Sequence, residues 1–579
     1  MDKYLQKYLK YKNKYLDLKK NNLIGTGSNS NSNSNSNSNS NSNSNSNINY
    51  IKSVKQNGEN IISIPESMLN IDIIKYAYKN NILILKHLPS LFIKKKSLMK
   101  ILLKQNGLGL QYIPDILKTK YLIIKSLRSN GMALEYVPPD MKTIEIIRIA
   151  LNQSGLALQF VPPELKTIEI IRIALNQSGL ALQFVPRDMK TIEIIRIAIN
   201  QSGLALQFVP QDMKTIEIIR IALNQSGLAL QFVPQDMKTI EIIRIALNQS
   251  GLALQFVQDM KTIELINSAL EQNGMALKFV PPNMLNTNYI LRAINQNGMA
   301  LKFVPPNMLN KNICEKAIIN NGLALEFVPN NLKDNVIISK SLQNNGLALK
   351  FVNDIDRFAF ETSLNQNGLA LQFIPEYIIT QEIINLAINQ NGLALEFVPE
   401  HLITKQIIIL ALNQNGLALE FVPYNLITTE IINLALEKNG MALEFVPYNL
   451  LTSEIINLAL NQNGLALQFA PDNLVSSKII KLILKKNGLA LEFIPEKLLH
   501  DINIIEKALT ENGLALEFVY DELKTSQIIN LAVSNNGMAL QYVPDNLKTS
   551  QLVNLAVSNN RLALKYVPDN LILSVNNNL

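Results

Sequence analysis

The chain has 579 residues, with 54 Lys+Arg against 46 Asp+Glu (net +8), 47% hydrophobic residues, one cysteine and no tryptophan. The lone Cys314 excludes an internal disulfide framework and suits a reducing compartment. No apolar run reaches the roughly 18 residues of a membrane-spanning helix, and the first residues lack the apolar core of a secretory signal, so the reading is intracellular and not secreted.

Residues 1–22 are rich in Lys, Tyr and Leu, and the stripe Tyr4, Tyr8, Tyr11 and Tyr15 predicts a basic amphipathic helix. Residues 23–49 hold a strict Ser-Asn alternation that buries nothing, so they read as a flexible low-complexity linker. Residues 50–128 carry degenerate, basic copies of a repeat and read as a capping region; residues 129–579 carry the regular repeat. The charge is uneven: residues 1–128 hold 21 Lys+Arg and 6 Asp+Glu, a net +15, which leaves −7 for the remainder.

The repeat is Asn-Gly-Leu-Ala-Leu-Glu-Phe-Val-Pro, clearest at 321–329. Its glycine recurs every 24 residues from Gly107 to Gly251, slips to 23 at Gly274, 22 at Gly368 and 25 at Gly513, and is replaced by Ile82 and Arg561 in two copies. About 22 copies follow one another, the signature of a solenoid.

Within one copy, Thr167 is a helix N-cap, Glu169 suits the first turn, and Ile170, Ile171, Ala174 and Leu175 share a face. Gly179 then suits a left-handed C′ position. The segment Leu180–Lys190 reads as a second short helix through Leu182, Val185 and Met189, or as a strand through Leu180, Leu182 and Phe184. Pro186 sits badly inside a helix and suits the start of a separate turn. Good helix formers dominate the motif, so the expected fold is all-α: an elongated α-solenoid of 24-residue helical hairpins, with an α/β leucine-rich-repeat-like solenoid as the alternative.

The pattern Asn-Gly-Leu-Ala-Leu-Glu-Phe-Val-Pro-x-x-Leu-Lys-Thr resembles a repeat family of unknown function abundant in mimivirus-type giant viruses that infect amoebae. The opening Lys7–Leu16 segment is similar to the start of many proteins of those viruses. The resemblance implies an all-helical array, located in host cytoplasm or virion, and brings no catalytic residue with it.

From Thr143 to Gln255 the copies are nearly identical, which repeats Glu145, Glu169, Glu193, Glu217 and Glu241 three residues before Arg148, Arg172, Arg196, Arg220 and Arg244. The spacing predicts pairing along each helix, worth about 0.2–0.5 kcal/mol. Catalysis needs unlike residues converging on one place. Here His87, His401 and His500 are scattered, Cys314 has no histidine near it in sequence, and no phosphate-binding loop occurs. No catalytic, cofactor-binding or metal-binding residue is expected, no cofactor, and no small-molecule substrate. The expected function is a non-catalytic scaffold for a protein partner. The alternative is nonspecific binding of nucleic acid or another anionic surface through the basic N-terminal region, with Lys94, Lys95, Lys96, Lys100 and Lys104 as the contacts.

Overall fold

The computed structural model describes residues 41–258, 260–568 and 571–572, with side chains from residue 49 onward. The chain divides into residues 1–49 and 50–579. The predicted helix 1–22 lies outside the described residues. The predicted linker 23–49 does so up to residue 40, and beyond that the structure differs from it. A helix Asn41–Gln56 runs through the end of the Ser-Asn tract. Ile51 and Val54 bury its C-terminal end, and a helix once nucleated extends at little cost.

The rest is an all-α solenoid with no strand among the described residues. One copy shows how the sequence builds it. Thr167 Oγ1 accepts the Ile170 N–H at 3.3 Å, and the helix Ile168–Gln177 buries Ile170, Ile171, Ala174 and Leu175 completely. A 3-10 helix, Gly179–Phe184, follows. It turns Ala181 and Leu182 into the core beside Val185. Pro186 ends it at φ −55° and ψ 145° and starts a second 3-10 turn, Arg187–Met189. The repeat is therefore one α-helix and two 3-10 segments. Six residues are long for a 3-10 helix. In most copies a side chain caps it: Asn321 Oδ1, for example, accepts the Leu323 N–H at 3.0 Å.

The glycine has a different reason from the predicted one. No glycine in the array adopts a left-handed backbone; Ser178, with φ −150°, ends the helix instead. Gly179 opens the 3-10 helix, and a Cβ there would stand 2.0 Å from the carbonyl oxygen of Ala198 in the next copy. The motif glycine and the helix alanine of the next copy are thus two sides of one close contact between neighbouring repeats. At Gly464 the facing residue is Ile483, whose Cγ2 stands 2.8 Å from that Cβ position.

Two polar ladders run along the stack. Lys166 Nζ donates to the Phe184 carbonyl at 3.3 Å, and Lys190 and Lys214 repeat the bond 18 residues ahead of themselves. The arginines reach 21 residues ahead, not back along their own helix: Arg172 to Glu193 at 2.5 Å, Arg196 to Glu217 and Arg220 to Glu241 at 2.7 Å. This corrects the predicted pairing within one helix. Parallel stacking brings the next helix's first turn closer to each guanidinium than its own.

The stack also winds. Arg148 meets Asp521 at 3.4 Å, 373 residues later, which is between fifteen and sixteen periods of 24. The helices of the first copies therefore lie against the 3-10 face of the last ones, and the array makes more than one coil of a superhelix.

Candidate functional site

The seam between the two coils is where unlike residues converge. Its lower side is the outer faces of the helices Ile71–Asn80, Lys96–Gln105, Lys120–Ser129 and Ile144–Gln153. Its upper side is the residue before each motif aromatic, the aromatic itself, and the 3-10 turn after it. Cations come from below and anions from above. Lys52 pairs with Glu400 at 2.6 Å, Lys79 with Glu420 at 3.2 Å, Lys96 with Glu496 at 2.5 Å and Lys120 with Glu522 at 2.9 Å. Lys100 binds Asp472. Lys75 and Lys125 donate to the carbonyls of Glu444 and Glu492, and Arg128 to that of Glu517 at 3.2 Å.

Two acids run the other way. Asp72 accepts the Tyr448 N–H at 3.1 Å, and Glu145 accepts the Asp521 N–H at 3.4 Å. Both stand at the second position of their helices, so they aim at a turn N–H on the coil above. Aromatic faces complete the seam: Lys104 lies 4.1 Å from the Phe493 ring centre, Lys120 4.8 Å from Tyr520 and Arg128 4.9 Å from Phe518.

Burial shapes the electrostatics. It pushes Lys104 down to about 7, although Glu492 opposes the shift. It lowers Lys75 against the pull of Asp72, and lowers Lys125 with help from Arg128 and Lys100. It raises Asp72 against the hydrogen bond from Tyr448, and raises Glu517. Tyr520 is pushed up to about 12 by the same cause. At the end of the seam a cleft of about 420 Å³ opens between Arg128, Glu145, Arg148, Glu517, Tyr520 and Tyr542.

The five lysines predicted to hold an anionic partner divide here. Lys96, Lys100 and Lys104 face Glu496, Asp472 and the Gln468 amide oxygen of their own chain. Lys94 and Lys95 are exposed, with Lys95 4.8 Å from the Phe92 ring centre. The seam residues on the upper side were legible only as recurring glutamates. Their partners lie some 370 residues away, at a distance no local pattern encodes. Among the described residues no group of three or more His, Cys, Asp or Glu is placed to hold a metal. Cys314 is buried, which raises its thiol pKa.

Fold and seam together define a tandem-repeat α-solenoid whose coils are joined by charge-complementary faces. A family model for a domain of unknown function, DUF4116, matches in eleven blocks from 95–142 to 526–572. The chain belongs to that family. Most blocks span two 24-residue copies, and the overlapping pair 95–142 and 119–166 is offset by one copy, so the structural unit is the single copy. Comparison with curated proteins finds no match. No described helix is long and apolar enough to cross a membrane.

Proposed function

We propose that the chain is a non-catalytic protein-interaction scaffold acting inside the cell. The observation that carries this reading is the exposed helix face that continues past the seam. Glu193, Glu217 and Glu241 are 63%, 65% and 68% exposed there, in side-chain register with Arg196, Arg220 and Arg244. A ladder of identical charged groups on a solenoid presents an extended docking surface. The resemblance to giant-virus repeat proteins supports host cytoplasm or virion as the setting. Affinity capture with the full chain, beside a variant carrying Arg196→Glu, Arg220→Glu and Arg244→Glu, tests it. A partner recovered by the first and lost by the second is the expected result; equal recovery by both moves the surface elsewhere.

The anionic-surface reading rests on the surplus cations of residues 1–128, of which Lys94 and Lys95 are exposed. Its test is RNA binding over a salt series with Lys94→Ala and Lys95→Ala. Binding that does not weaken with salt or with these changes removes it.

A further inference from the structure

The helix Ile144–Gln153 grips the coil above it. Glu145 holds the Asp521 N–H, while Arg148 binds Glu169 at 2.7 Å through one nitrogen and Asp521 through another. The gripping side chains are mostly covered: Glu145 is 14% and Arg148 17% exposed. The helices Ile192–Gln201, Ile216–Gln225 and Ile240–Gln249 repeat this sequence almost without change. Their arginines hold the next copy's glutamate in the same way, yet they are 45%, 47% and 53% exposed. Beside them Ile192, Ile216 and Ile240 are 41–46% exposed, an apolar edge continuous with the seam. The docking face thus runs on for at least three more helices with these side chains left exposed.

The other half of the contact also recurs in the chain. In the gripped turn, Lys524 bonds Asp521 at 2.8 Å. In the turn Asp115–Leu117, Lys118 bonds Asp115 at the same 2.8 Å, and both lysines donate to the aromatic carbonyl 18 residues on. Asp521 is 27% exposed against the helix that grips it, whereas Asp115 is 77% exposed. An equivalent first-position acid, Glu66, stands two copies earlier and is also exposed.

We propose that a second copy of this chain lays the 3-10 face of its first repeats, with Glu66 and Asp115, on the helix face Ile192–Gln249 of the first, so that the superhelix continues from chain to chain. This names the partner within the scaffold reading. The contact is heterologous: each copy offers a helix face at one place and a turn face at another. It therefore grows into head-to-tail chains and does not stop at a symmetric pair. Charged pairs set its register, and added salt weakens it.

The test is sedimentation of the full-length 64.8 kDa chain over a concentration series at low and high salt. The expected result is species that grow in steps of one chain as concentration rises and shrink as salt rises. Arg196→Glu with Arg244→Glu, two copies apart as Glu66 and Asp115 are, reverses the helix face; Glu66→Arg with Asp115→Arg reverses the turn face. Each double variant alone should sediment as a monomer with unchanged helical circular dichroism, and an equimolar mixture should assemble again because each reversed face then meets its complement. A wild-type chain that stays monomeric throughout overturns the proposal, as do double variants that assemble like wild type or a mixture that does not recover. If the wild type is monomeric and affinity capture still recovers a partner through the arginine face, the scaffold reading stands with a different occupant and this inference falls.

Discussion

Ser202 and Gly203 show how much one position in a copy is worth. In most copies asparagine precedes the glycine and caps the 3-10 helix, but Ser154, Ser178, Ser202, Ser226 and Ser250 make no such bond. Ser202→Asn should stabilise the array by about 0.5–1 kcal/mol in a denaturant series, the usual worth of a cap. Gly203→Ala should destabilise it by about 1–3 kcal/mol, since its Cβ would meet the Ala222 carbonyl oxygen at 2.2 Å and must push two repeats apart. At Lys104 the measurable effect is on pH. Burial lowers its pKa to about 7 in the docked seam, so the docked state holds fewer protons than an undocked one between there and the ordinary lysine range. Docking should therefore strengthen as pH rises through that window and lose this contribution as pH falls toward about 7. Fluorescence transfer between labels on the two coils, compared with Lys104→Met at each pH, isolates the slope; equal slopes in both proteins would exclude it.

At the scale of one element, the α-helix follows from its sequence because its signals are local: a Thr or Asn cap, an acid in the first turn, and apolar residues at 3.6-residue spacing. The second half of the copy was ambiguous between helix and strand because six residues satisfy both periods. The proline and the close packing of one hexamer on the next decide for 3-10 geometry. The arginine ladder shows the same limit. The three-residue spacing points Arg196 to Glu193, and the parallel stacking selects Glu217 instead. A double-mutant cycle on Arg196 and Glu217 should return about 0.2–1 kcal/mol, as exposed pairs do, and a cycle on Arg196 and Glu193 should return essentially nothing.

For the whole molecule, the uneven charge acquires a structural use. Lysines and arginines of residues 52–148 lie against acids of residues 400–522, so part of the basic head neutralises the acidic end of its own array. Long-separated contacts of this kind are screened by salt where they are exposed. Lys100→Glu with Lys120→Glu should part the coils and raise the radius of gyration in scattering, while Asp472→Lys with Glu522→Lys in the same chain should bring it back. A radius that does not change with the first pair would mean that the remaining ion pairs and the aromatic and backbone contacts suffice to hold the seam.

The sequence by itself determined the period, the number of copies, the start of each helix and the residues that face the core, because all of these are written within 24 residues and repeated. It also showed the charge asymmetry. What the glycine is packed against, which glutamate each arginine takes, and where the lysines of the head end up were decided only by the tertiary structure. Each is a contact with another copy, one repeat away or fifteen. The small rotation between neighbours that sets such contacts is a property of the packed interface as a whole and of no single residue in it.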